Sequence, residues 1–225
     1  YVPSVGAMLR FDKKHINVVN NKLTFDNYNI YSTDDHPFTI AGDVTVNSFD
    51  DIQTNLKLTT RNYQLINTKQ TKESIIFGKL FLNLNSTLTG DVDNLKMRGN
   101  MQVLKKTNVT YVMKENSVTV QSRLNDMVSF VNMKDTSKLT NTEQLVSLGG
   151  LDMILNVNID KDVKAACYLD PTGSSRVELV GGGNLTLQYS PEEGDMRMNG
   201  RYTLSNGLLK YDMPMVPLKD FTINT

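Results

Sequence analysis

Tryptophan is absent from this 225-residue chain, alanine occurs only four times, and there is a single cysteine. Alanine is the best helix former, whereas the 24 asparagines and 22 threonines are poor ones. The composition therefore argues against a helical protein. The lone Cys167 also excludes a framework of disulfides within the chain.

An excess of charge and long apolar runs are missing as well. Lys and Arg together number 24, as do Asp and Glu, so the formal net charge is zero. A general nucleic-acid binder normally shows a basic footprint, so we expect no nucleic-acid partner. No stretch approaches the roughly 18 apolar residues of a membrane span. Because the chain starts at Tyr1 and not at Met, we expect an export signal or anchor to lie outside this sequence.

Alternation of apolar and polar residues dominates the remaining sequence. In five segments Leu, Ile, Val or Met recurs at every second position, with Asn, Thr or a charged residue between. This pattern is typical of half-buried antiparallel strands with one wet face, and about a dozen strands fit the chain. The candidate lining residues of the apolar face are Leu80, Leu82, Leu84, Met97, Met101, Val103, Leu151, Met153, Leu155, Val157, Ile159, Leu185, Leu187, Met196, Met198, Tyr202 and Leu204.

Turn and cap signals separate these segments. Asp170–Gly173 reads as a turn, and Asn206–Gly207 predicts a hairpin between strand-like runs. A capping-box pattern begins at Thr140 and predicts one short amphipathic helix near 141–148. That helix is interpreted either as a connector covering one end of the sheet or as a movable flap over an apolar opening.

Residues that could carry catalysis or hold a metal are few. His15 and His36 stand in polar connections without partners at metal-ligand spacing. The triplet Gly181–Gly183 lacks the Lys-Ser/Thr of a phosphate loop and leads into a strand, so it predicts a bend or bulge. Cys167 lies in a strand-like run with no nearby histidine. We therefore expect no enzyme activity, no catalytic residue, no metal site and no cofactor.

The apolar face itself permits two interpretations. It is either the ordinary core of a β-sandwich or barrel, or the lining of a groove in a curved sheet. The 11 methionines favour the groove, because Met is flexible and polarisable and suits surfaces that accept varied apolar partners. The absence of tryptophan points the same way, since few large aromatics are available to lock a core.

The C-terminal third of the chain carries a specific series of motifs. It contains Asp-Pro-x-Gly at 170–173, Gly-Asn-Leu-x-Leu at 183–187, Gly-Asp at 194–195, Gly-x-Tyr at 200–202 and Pro-Leu-x-x-Phe-x-Ile at 217–223. This series resembles the C-terminal domain of the TamB family, the translocation and assembly module proteins of Gram-negative bacteria related to AsmA-like proteins. The abundance of Asn and Lys in the chain is similar to the composition of Bacteroidetes members of the family. The resemblance treats 1–225 as a single elongated domain, with a diffuse repeat over 1–135 and the most family-like part at 150–225.

The resemblance implies an all-β fold in which an elongated, curved antiparallel or mixed sheet forms an open "β-taco" groove with an apolar interior. The candidate residues above would line that groove. It also implies a periplasmic protein, anchored to the inner membrane by a segment outside this sequence. The protein would carry acyl chains of phospholipid or another amphiphile between the membranes, with an outer-membrane Omp85-type partner. Two alternatives stay open: a chaperone-like module that pairs with strands of barrel or autotransporter clients, and a plain structural β-sandwich.

Overall fold

A computed structural model describes residues 9–71, 74–113, 150–192, 194–213 and 216–224 of the chain. Within these residues the chain forms twelve β-strands and one short 3-10 helix, Val92–Asn94. The strands are β1 (Arg10–Phe11), β2 (Asn17–Val19), β3 (Lys22–Tyr31), β4 (Pro37–Ser48), β5 (Asp51–Thr68), β6 (Ile76–Asp91), β7 (Lys96–Val103), β8 (Asn108–Val112), β9 (Asp152–Tyr168), β10 (Arg176–Tyr189), β11 (Met196–Met213) and β12 (Val216–Asn224).

The predicted all-β class is confirmed, and the alternation explains it. In β9, Met153, Leu155 and Val157 are buried, whereas Asn156 and Asn158 are exposed. Side chains of a strand point to opposite faces in turn, so Met153, Leu155 and Val157 share one face, and Ile154 is the apolar exception on the other. The predicted helix near 141–148 lies outside the described residues.

All twelve strands belong to one sheet. Their order is β1-β3-β4-β5-β6-β7-β9-β10-β11-β12, with β2 beside β3, and β8 between β6 and β9. Neighbours are antiparallel except that β9 runs parallel to β7 and β8, so the sheet is mixed. A β-sandwich needs two packed sheets, and the single sheet of the described residues does not favour that alternative.

Because β9 runs parallel to β8, the end of β8 and the start of β9 lie at opposite ends of the sheet. The N–H of Met113 donates to the carbonyl of Tyr168 over 2.9 Å, at the far end of β9. The N–H of Asp152 donates to the carbonyl of Leu95 over 2.7 Å, at the near end. β8 thus ends at one end of the sheet and β9 begins at the other, as parallel pairing requires.

Bulges interrupt the ladder around the glycine triplet, as the sequence predicted. Gly181 pairs with Val163 and Gly183 with Ile159, so β9 holds two more residues than β10 across this step. A Cβ at Gly182 would lie 2.6 Å from the carbonyl oxygens of Ile159 and Asp160. Only glycine leaves room for that approach.

The predicted hairpin turn at Asn206–Gly207 is wrong. Both residues lie inside β11, where Asn206 pairs with Val180 and Gly207 with Leu179. The register of β11 shifts beside them, because Leu204 pairs with Gly181 and Ser205 is the extra residue. An Asn-Gly pair also suits the neighbourhood of a bulge, which the sequence pattern does not distinguish from a turn.

Candidate functional site

The apolar face is the strongest candidate site, and four cross-strand rows form it. Adjacent strands place their apolar side chains in register, so each row crosses β6, β7, β9, β10 and β11. The rows are Leu82–Val103–Ile159–Gly183–Tyr202, Leu84–Met101–Val157–Leu185–Gly200, Ser86–Gly99–Leu155–Leu187–Met198 and Leu88–Met97–Met153–Tyr189–Met196. Apart from Leu80, Leu151 and Leu204, every candidate lining residue belongs to one of these rows.

The middle of this face is a packed cluster, which we call the central cluster. Its buried members are Met153, Leu155, Val157 and Tyr189. Partly buried residues pack against them, namely Met97, Met101, Val103, Leu151, Ile159, Leu185 and Leu187. The structure therefore brings together the candidates on β7, β9 and β10. Tyr189 was not among the candidates, although it continues the alternation of Leu185 and Leu187.

Toward β11 the same face becomes exposed. Met196 and Met198 are 58% and 61% exposed, although they pair with the central Tyr189 and Leu187. Farther along, Leu209 of β11 and Phe221 of β12 pair with each other and are 38% and 55% exposed. We call Met196, Met198, Leu209 and Phe221 the open margin of the apolar face.

The candidates on β6 and the rest of β11 lie outside the central cluster. Leu82 is buried, whereas Leu80 and Leu84 beside it on β6 are half-buried. On β11, Tyr202 and Leu204 are half-buried and pair with Gly183 and Gly181. These residues extend the apolar face on both sides of the cluster.

Two further core residues on β5 escaped the sequence pattern. Tyr63 and Ile66 are each 5% exposed, and Tyr63 packs edge-on against Phe38 with ring centroids 5.8 Å apart. The register of β5 against β6 shifts twice here, once between Thr60 and Tyr63 and once between Gln64 and Ile66. Each extra residue breaks the alternation, so no period-two pattern shows at this point.

The electrostatics of the apolar face suit an uncharged ligand. The four rows contain no carboxylate, amine or guanidinium group. Burial raises the pKa of the phenol groups of Tyr63 and Tyr202 above the ordinary value of 10.0. Both phenols are consequently neutral at physiological pH.

A depression of about 930 Å³ lies on the opposite, polar face. Its polar lining includes Asn85, Asn100, Asn156 and Asn199, which alternate with the apolar rows along their strands, and atoms of the intervening row Leu84–Met101–Val157–Leu185–Gly200 also line it. The predicted open groove with an apolar interior stays a prediction, because the central cluster is packed and this depression belongs to the other face.

Two side chains that could carry other chemistry lie in different parts of the chain, His36 just before β4 and Cys167 in β9. The His36 ring nitrogen Nε2 lies 2.7 Å from the side-chain amide nitrogen of Asn62, and Cys167 is half-buried in β9. Among the described residues, no group of three or more His, Cys, Asp and Glu could hold a metal ion. In the same part of the chain no helix is long and apolar enough to cross a membrane.

Comparison with known proteins identifies one family. The model of the TamB C-terminal domain matches residues 26–224, which is nearly the whole chain. Neither a curated protein nor a solved structure gives a significant match.

Proposed function

The chain belongs to the TamB C-terminal domain family, and we propose that its apolar sheet face carries phospholipid acyl chains between the inner and outer membranes. The family supports a TamB-type role in outer-membrane assembly in the envelope of Gram-negative bacteria. Our proposal adds the cargo, a periplasmic location, an inner-membrane anchor outside this sequence and an Omp85-type partner at the outer membrane. The role is binding and transfer, without catalysis.

The observation that carries the proposal is the change in exposure along one row. Leu155 is 5% exposed, its neighbour Leu187 is half-buried, and Met198 on the next strand is 61% exposed. The central cluster thus supplies a packed floor, and the open margin supplies apolar surface that water still covers. An amphiphile with a flexible apolar chain fits such a margin.

The physical chemistry permits holding and sliding together. Each CH₂ group removed from water contributes about 0.8 kcal/mol, so a few buried groups suffice to retain a chain. Contacts with Met and Leu have no preferred direction, and Met adapts to the shape of its partner. An acyl chain can therefore shift along the margin without breaking hydrogen bonds, while its polar head group stays in water.

A pair of adjacent substitutions tests this proposal. Met198→Arg places a charge on the open margin, whereas Asn199→Arg places the same charge on the polar face, one residue farther along β11. Both residues are exposed, so both variants should fold. The measurement is the transfer of a fluorescent phospholipid from donor to acceptor vesicles. We expect Met198→Arg to slow transfer and Asn199→Arg to leave it unchanged; equal rates in the two variants would contradict the proposal.

A second candidate function rests on the edge of the sheet. Within the described residues, β12 pairs with β11 alone, so one side of its backbone is open. An open edge can accept a strand from a client protein, as the chaperone-like alternative requires. Cross-linking would distinguish the two: capture of client strands along β12, undiminished in Met198→Arg, favours the chaperone function.

A further inference from the structure

The abundance of asparagine has a structural pattern of its own. Asn85, Asn100 and Asn156 occupy matching positions on β6, β7 and β9, and Thr186 and Asn199 continue the row on β10 and β11. A second row, one step along the strands, runs through Asn83, Gln102, Asn158, Asn184 and Arg201. Five adjacent strands thus present amide groups side by side on the polar face.

Hydrogen bonds between neighbouring strands hold many of these amides in place. Asn158 Nδ2 donates to Asn184 Oδ1 over 2.6 Å, and Asn156 Nδ2 donates to Asn100 Oδ1 over 3.2 Å. Similarly, the side-chain N–H of Asn83 donates to Gln102 Oε1 over 2.8 Å. The amides therefore form an ordered surface rather than a set of freely rotating side chains.

Charge is nearly absent from the depression that these rows line. Among the described residues that line its approximately 930 Å³, Arg61 is the one that carries a charge. Two nearby charged groups engage partners: Arg98 Nη2 forms an ion pair with Asp152 over 2.5 Å, and Asp160 accepts from Gln102 Nε2 over 2.6 Å. Arg201, at the β11 end of the second row, is exposed and does not line the depression. An ordinary solvated face mixes charges of both signs, so a contiguous neutral amide surface calls for another explanation.

We propose that this depression is a binding site for an uncharged oligosaccharide. A side-chain amide has two N–H donors and a carbonyl with two acceptor positions, and the cross-strand bonds use only part of them. A sugar hydroxyl both donates and accepts, so a chain of sugars matches a field of alternating donors and acceptors. The amides could orient toward an ion of either sign, but the lining offers almost no opposite charge to compensate the lost hydration of an ion. The site lies on the face opposite the open margin and does not depend on lipid binding.

Side-chain amide signals in nitrogen-15 NMR spectra report directly on this site. The probe is the neutral hexamer of N-acetylglucosamine, titrated into the whole chain. We expect shifts in the side-chain NH₂ signals of Asn100, Asn156 and Asn199, with the backbone signals of β2, which does not line the depression, unchanged. A titration to millimolar hexamer without shifts in these signals would overturn the proposal.

Substitutions at two row positions then test where the hexamer binds. Asn156→Leu and Asn100→Leu remove amides from exposed positions, and Asn17→Leu removes an exposed amide on β2 as a control. Loss of one or two hydrogen bonds should weaken hexamer binding at least about fivefold, with the control unchanged. Equal affinity in all variants would contradict the site. So would a stronger shift of the same signals by an unfolded polypeptide or by an anionic polysaccharide than by the hexamer.

Discussion

The row Gly99–Leu155–Leu187–Met198 predicts two very different effects for the same kind of truncation. Leu155→Ala removes a side chain that is only 5% exposed and lies inside the central cluster. On one side its neighbour is Gly99, which has no side chain that could move into the space. Leu→Ala changes in cores cost about 2–5 kcal/mol, and more where the site cannot collapse. We therefore expect a loss of about 3–4 kcal/mol in the free energy of unfolding.

Met198→Ala is the matched control in the same row. Full burial of a Met side chain contributes about 1.5–3 kcal/mol, and 61% of Met198 remains exposed. Its truncation should cost about 1 kcal/mol or less. Met198→Ala should weaken the free energy of lipid binding by more than it lowers the free energy of unfolding, because a bound acyl chain would cover the exposed part of the side chain.

Equilibrium unfolding in urea measures both effects. The midpoint should fall far more in Leu155→Ala than in Met198→Ala, with similar slopes against urea concentration in all three proteins. Equal losses in the two variants would refute the distinction between a packed centre and an open margin. A loss below about 1 kcal/mol in Leu155→Ala would refute the packed cluster itself.

Three further predictions concern a turn, a bulge and an ion pair that shape the sheet. Burial of the Asp170 carboxyl would raise its pKa, but hydrogen bonds from the Thr172 hydroxyl and from backbone N–H groups outweigh burial and lower the pKa to about 2. The unfolded chain binds this proton more readily, so the protein should be more stable than Asp170→Asn above about pH 4, and this advantage should vanish as the pH falls to about 2. Urea unfolding of both proteins at each pH measures the difference. A difference independent of pH would contradict this prediction. Gly182→Ala should lower the thermal midpoint by several degrees, because the added Cβ meets two carbonyl oxygens, and an unchanged midpoint would refute the bulge geometry. Asp152→Asn should lower the free energy of unfolding in urea by only about 0.5–1 kcal/mol, since its ion pair with Arg98, between the parallel strands β7 and β9, is partly exposed. A larger loss would show that this ion pair holds the two strands together.

The sequence predicted the fold class and much of the apolar face because alternation is a local signal. Met153, Leu155 and Val157 repeat at every second position, and the pleat of a single strand places them on one face. The same reasoning fails at bulges. Tyr63 and Ile66 each follow a register shift, and the Asn206–Gly207 pair beside a bulge resembles a turn in sequence.

Neither the parallel pairing of β9 nor the continuity of the asparagine rows could be predicted. Both depend on which strands become neighbours, and Asn100 and Asn156, which face each other, are far apart in the chain. The alternation of residues within one strand does not show which strands become neighbours. The predicted groove is likewise a property of how the whole sheet curves.

Methyl NMR with a paramagnetic phospholipid tests the central claim most directly. Methionine methyl groups labelled with carbon-13 report on both faces if Asn199→Met adds a probe on the polar face, next to Met198. A phospholipid with a nitroxide on its acyl chain broadens only the methyl signals that it approaches. We predict the strongest broadening at Met196 and Met198, and weaker broadening both at the buried Met153 and at the methyl group introduced by Asn199→Met. Equal broadening on the two faces, or no broadening of Met198, would contradict an acyl-binding apolar face.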